Sequence, residues 1–198
     1  MAMSIEKKVF GTLPDGREVD VYALKNKAGF TVEVIPYGCR LAKILVPDRN
    51  GNFGDVVIGH DTLEGYLSDV HGSLIGRVAN RIGGASFTIG EKEYHLLKND
   101  GENCLHGGSV NYAHVLWKVA ATKDGDEPSI TFTYVSPDGE SGFPGTVELT
   151  VTYSVTADNS LILDYQATTD AETPLNLTNH AYFNLSGDPS QIGRASCR

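Results

Sequence analysis

The sequence predicts an all-β protein, a large antiparallel β-sandwich. Three observations carry that expectation: long stretches of period-two alternation, 22 glycines that punctuate turns, and scarcely any helical pattern. A length of 198 residues with 40% hydrophobic content suits one domain with a real core.

The elements follow in order. Residues 9–13 and the alternating Val19, Val21 and Ala23 flank the turn Pro14-Asp15-Gly16, which reads as a hairpin. Phe30, Val32 and Val34 alternate with Thr31 and Glu33, giving a further strand. Arg49-Asn50-Gly51-Asn52 is a turn that leads into the apolar run Val56-Val57-Ile58. Residues 61–67 read as a single turn of helix, with Asp61 as cap and Glu64 three positions on. The cleanest pattern covers 129–167. Ile130, Phe132 and Tyr134 are followed by Val147, Leu149, Val151, Tyr153 and Val155. After the Asp158-Asn159 turn come Leu161, Leu163, Tyr165 and Ala167. This is a three-stranded meander with one face on a core. Long loops are expected at 68–85, 98–114 and 136–145, where an all-β scaffold usually carries its function.

Charge narrows the partners. Sixteen Lys and Arg against 25 Asp and Glu leave a formal net of -9, which is ill suited to phosphate-rich nucleic acid. A neutral small molecule or a protein partner fits better. The first residues lack the apolar core of a signal peptide, and no run of 18 apolar residues exists. No membrane span is therefore expected. Cys39, Cys104 and Cys197 are odd in number and lack CxxC spacing, as expected of a reduced, cytoplasmic protein. In that compartment the N-x-S/T triplets at Asn176 and Asn184 would not be glycan acceptors.

Chemistry-bearing residues gather in three segments: Gly76 to Gly84, Asn103 to Gly108, and Asn176 to Gly187. Arg77 and Arg81 have an ordinary reading as surface charges or as partners of carboxylates, His106 as a turn residue and His180 as a core histidine. Gly76 to Gly84 lacks G-x-G-x-x-G and a βαβ setting, which argues against a dinucleotide. Without H-E-x-x-H or a tight His cluster in the sequence, zinc has weak support. Cys104 and His106, two apart, allow a Cys/His nucleophile, but no acyl-transfer signature accompanies them.

"GRVANRIGGASFTIGEKEYHLLKNDGENCLHGG", "SPDGESGFPGTVELTVTYSV" and "PLNLTNHAYFNLSG", in that order, resemble the aldose 1-epimerase (galactose mutarotase) family. The resemblance implies the large sandwich of that family, a sugar cleft, and interconversion of the α and β anomers of free hexoses such as galactose and glucose. It implies no cofactor and no metal. By motif, Asn80 and Arg81 would bind sugar hydroxyls and His106 would contact the sugar near the ring oxygen. His180 would be the general acid, and Tyr182 would shape the subsite. Sugar binding without catalysis is an alternative. So is a hexose-phosphate epimerase in which Arg77 and Arg81 clamp an anion.

The resemblance covers half of the family pattern or a little more. The family's catalytic Glu, and an Asp that grips the sugar, have no counterpart here, so an impaired, C-terminally incomplete sandwich is expected. One partial domain over 1–190 and an atypical tail over 191–198 are the expected boundaries, with poor solubility or a partner that supplies further strands. Asp170, Glu172 and Asp188 read as ordinary loop carboxylates rather than a substitute base. The sequence leaves the preferred hexose and the oligomeric state open.

Overall fold

The computed structural model describes residues 5–108 and 110–188. Cys197 and the tail 191–198 lie outside the described residues. Nearly all regular structure is antiparallel strand, as the alternation predicts.

A five-stranded sheet opens the chain: β1 Glu6–Thr12, β2 Glu18–Lys25, β3 Thr31–Ile35, β4 Arg40–Pro47 and β5 Phe53–Asp55, in sequential order. The Pro14-Asp15-Gly16 turn closes its first hairpin, with the Gly16 amide donating to the Leu13 carbonyl at 2.9 Å. Short pieces follow, namely β6 Val57–Ile58, α1 Leu63–Tyr66, β7 Leu74–Ile75 and β8 Arg81–Ile82. Next come the hairpin β9 Ser86–Ile89 and β10 Lys92–His95, then β11 Cys104–Leu105. Four strands build the second sheet, again in sequential order: β12 Lys118–Lys123, β13 Ser129–Ser136, β14 Val147–Val155 and β15 Leu161–Thr169. The meander is thus one strand larger than the sequence pattern shows. Two short strands end the described chain, β16 Thr178–Asn179 against β7 and β17 Tyr182–Phe183 against β6.

The two large sheets share one core. Leu24, Val32, Val34 and Leu41 of the first pack with Ile130, Phe132, Leu149 and Val151 of the second. The opposite face of the first sheet is also covered, because Val19, Val21 and Ile35 pack with Leu63 and Tyr66 of α1. Two corrections concern local detail. Thr62, not Asp61, occupies the N-cap of α1, and no side chain caps it. Along β15 the alternation holds for Leu161 and Leu163, which pack on the core, but Tyr165 is 36% exposed. Among the described residues β15 bonds only to β14, so less covers its far end.

One buried polar link joins the sheets and reaches the later loop. The Tyr153 hydroxyl donates to the Cys39 carbonyl at 2.6 Å and accepts from Asn179 Nδ2 at 3.2 Å. Tyr153→Phe strands that carbonyl in the core, and a buried unmade hydrogen bond costs about 1–3 kcal/mol. Urea unfolding of the variant is expected to show a loss of that size.

Candidate functional site

Three segments converge on an open cleft lined by Asn80, Arg81, His106, Asn176, His180 and Tyr182. The first step is a backbone approach. Gly107 has φ +84°, and a Cβ there would sit on the Gly76 carbonyl oxygen, so only glycine lets the two segments touch. This contact sets His106 beside Asn80. The pair then locks reciprocally: the His106 amide donates to the Asn80 carbonyl at 3.0 Å, and the Asn80 amide donates to His106 Nδ1 at 3.0 Å. Both residues hold left-handed backbone, at φ 63° for Asn80 and 55° for His106. Strain of that kind clusters at functional sites.

The lock also fixes a tautomer. A backbone N–H can only donate, so His106 Nδ1 must be the acceptor and the ring proton sits on Nε2. Burial, together with the charges of His180 and Arg81, pushes the His106 imidazole below its ordinary value of 6.5. It is therefore a neutral donor.

His180 is held by its main chain. Its amide donates to the Ser73 carbonyl at 2.8 Å and its carbonyl accepts from the Gly72 amide at 3.0 Å. Its ring meets His106 edge-on at 5.1 Å between centroids, and Tyr182 lies at 5.1 Å on a tilted plane. The neighbouring Asn179 side chain is committed to the Gly72 carbonyl at 2.8 Å and to Tyr153, so it serves as an anchor. Arg81 is exposed, and its Nε donates to Asp100 Oδ2 at 2.6 Å while Nη1 reaches Asn80 Oδ1 at 3.2 Å. Asp100 thus aims the guanidinium, a role the sequence reading missed.

The structure brings together Asn80, Arg81, His106, His180 and Tyr182. It sets other candidates aside. Arg77 is 2% exposed, and its guanidinium donates to the carbonyls of Ser136, Pro137 and Pro144 and to the hydroxyls of Ser136 and Thr173. It is neither a surface charge nor half of an anion clamp. Cys104 packs among Ala85, Leu96 and Phe143, and burial pushes its thiol up, which does not suit a nucleophile. Asp170 accepts from the Thr146 amide at 2.7 Å, away from the cleft. Asn184 is buried, and its carboxamide oxygen accepts from Ser186, an arrangement that suits a turn rather than a glycan.

Comparison with known proteins adds a second line. A family profile described as "Aldose 1-epimerase" matches residues 20–198. The galactose mutarotase of Mus musculus is 43% identical over 191 residues, covering 95% of this chain and 54% of that protein. The aldose 1-epimerase of Escherichia coli is 34% identical, covering 90% of this chain and 51% of that one. Among solved structures, the galactose 1-epimerase of Lactobacillus acidophilus superposes with a TM-score of 0.83 at 26% identity, covering 92% of this chain and 54% of that one. The chain therefore spans about half the length of the curated relatives it matches.

The His106 tautomer has a pH consequence. The folded pKa lies below the unfolded one, so between the two the unfolded chain binds the extra proton. The His106 contribution to stability is thus complete above about 6.5 and declines as pH falls toward the folded pKa. Nitrogen-15 NMR of the His106 ring at neutral pH is expected to show a protonated Nε2 and a bare Nδ1. A protonated Nδ1 contradicts the assignment.

Proposed function

The chain belongs to the aldose 1-epimerase family, and we propose that it serves the interconversion of α and β anomers of free hexoses such as galactose and glucose. The observation that carries this reading is the convergence of His106, His180, Arg81, Asn80 and Tyr182 on one cleft.

In this reading the cleft supplies the acid side of ring opening. His180 gives a proton to the ring oxygen as the C1–O bond breaks, and the anomeric hydroxyl loses its proton as C1 becomes an aldehyde. Rotation about C1–C2 presents the other face, and the steps run backward. Imidazole suits this exchange because it gives and retakes protons near neutrality. His106, neutral with Nε2–H outward, contacts the sugar near the same oxygen without competing for its proton. Arg81 and Asn80 donate to hydroxyls, and Tyr182 offers an apolar ring face to the sugar.

None of the described residues that line the cleft is a carboxylate. The base for the anomeric proton is then a Glu from the part of the family's length that this chain does not span. That same observation favours a second reading, sugar binding without turnover. The hexose-phosphate alternative loses its support with the burial of Arg77. Residues 1–190 act as one domain in either reading. We infer a cytoplasmic location, a reading supported by the free, buried thiols of Cys39 and Cys104. No helix among the described residues is long and apolar enough to cross a membrane.

Polarimetry on fresh α-galactose separates the readings. Epimerase function predicts that the protein extended to the family's full length accelerates mutarotation, and that this falls on the order of a hundred- to ten-thousand-fold in His180→Ala. Calorimetric binding of galactose with no acceleration supports the second reading. Neither binding nor acceleration by a folded chain overturns both.

A further inference from the structure

A second polar cluster lies next to the sugar cleft. His60 follows β6, and Asp69 and His71 lie in the loop after α1. Both imidazoles converge on one carboxylate oxygen: His60 Nε2 and His71 Nδ1 each pair with Asp69 Oδ2, the latter at 2.8 Å. Among the described residues, these three side chains offer nitrogen and oxygen donors all within 4.8 Å of one another. Nothing in their sequence spacing matches a metal motif; the fold assembles them.

The cluster has the construction of a ligand set. Asp69 Oδ1 is held separately, by Arg40 Nη1 at 3.1 Å and by the His71 amide at 3.0 Å, leaving Oδ2 to the imidazoles. Arg40 is fully buried and also donates to the carbonyls of His71 and Ala113, at 2.7 and 3.1 Å. The His60 ring is fixed in turn. It meets Tyr66 edge-on at 5.0 Å, and it lies where a Cβ on Gly65 would come within 2.5 Å of its Cγ. His60 and His71 are partly open, at 40% and 35% side-chain exposure, so an ion has a path in and room for water.

We propose that His60 Nε2, Asp69 Oδ2 and His71 Nδ1 form a divalent metal site of zinc type, completed by water. Two imidazoles and one carboxylate are a common donor set for such ions. Donors around a tetrahedral ion stand about 3.3 Å apart, so His71 Nδ1 and Asp69 Oδ2 part by roughly half an ångström from 2.8 Å, the shorter His60–Asp69 pair opens further, and the imidazoles turn toward the ion. Each imidazole presents its lone pair by moving its proton to the other ring nitrogen. The carboxylate held by Arg40 gives the outer support that metal sites generally need. His71 lies against Tyr182 on a plane tilted by 48°, at 4.9 Å between centroids, so the ion would stiffen the ring that also touches His180.

The test is zinc chloride titrated into the full chain by calorimetry, with imidazole nitrogen-15 shifts recorded in parallel. One ion per chain is expected, with shifts at His60 and His71. His60→Asn and His71→Asn should each weaken binding at least about tenfold, and Gly65→Ala, which crowds the His60 ring without removing a ligand, by roughly tenfold or more. His106→Ala should leave it unchanged. The proposal is overturned if the folded chain shows no saturable binding, or if the His60→Asn/His71→Asn double variant binds as before. It is equally overturned by zinc shifts that fall on His106 and His180. Those shifts, read in the wild-type chain, decide the matter even if a variant fails to fold.

Discussion

The burial of the Arg77 guanidinium is the constraint on which the site depends. A fixed positive charge taken out of water is tolerated only with its donors satisfied. Here the satisfaction comes from Ser136 at the end of β13, from Pro137 and Pro144 in the loop that follows, and from Thr173 beyond β15. Glu140 balances the charge one layer out, bonded to Ser136 and Tyr134. One side chain thereby pins the second sheet to the segment that carries Asn80 and Arg81. Lysine, with a point charge and three donors, lacks the fork to serve so many acceptors.

The main chain around Arg77 extends the same control to the opposite wall of the cleft. Its carbonyl accepts from the Asn176 amide at 2.9 Å, and the Asn176 carbonyl accepts from Ala79 at 2.7 Å. Strand β16 then continues along β7 until His180 reaches Ser73 and Gly72. The two walls are thus registered by backbone hydrogen bonds, which leaves the imidazoles free to face the cleft. The left-handed conformations of Asn80 and His106 persist because each residue bonds the other. Strain held in this way orients a ring more firmly than packing on one side does.

Much of this was legible in the sequence, and the failures have physical causes. Strands β13 and β14 show in full because one face is wet and the other dry, so β14 alternates without a break. Strand β4 is hidden because it is buried on both faces over Arg40 to Ala42, which erases the alternation. Strand β12 is hidden for the opposite reason: it is mostly exposed and carries lysines and alanines. His106, His180, Asn80 and Arg81 stand in motifs, so their segments announced themselves. Arg77 was misread because charge argues for the surface, and only the folded chain shows the ring of carbonyls around it. Asp100 was missed because a carboxylate that aims an arginine from 19 residues away leaves no local pattern.

Two pairs of imidazoles meet Tyr182 and its neighbours, and their partners divide the chemistry between them. His60 and His71 share the Asp69 carboxylate, and that company suits the metal ion proposed there. His106 has a backbone N–H on its inner nitrogen, which refuses a second proton and keeps the ring neutral. Arg81, already paired with Asp100, adds donors rather than a bare field. Such a cleft offers directional hydrogen-bond donors rather than a net charge. The proposed hexose, whose groups are hydroxyls, matches that arrangement and calls for no cationic patch on a chain with a formal net charge of -9.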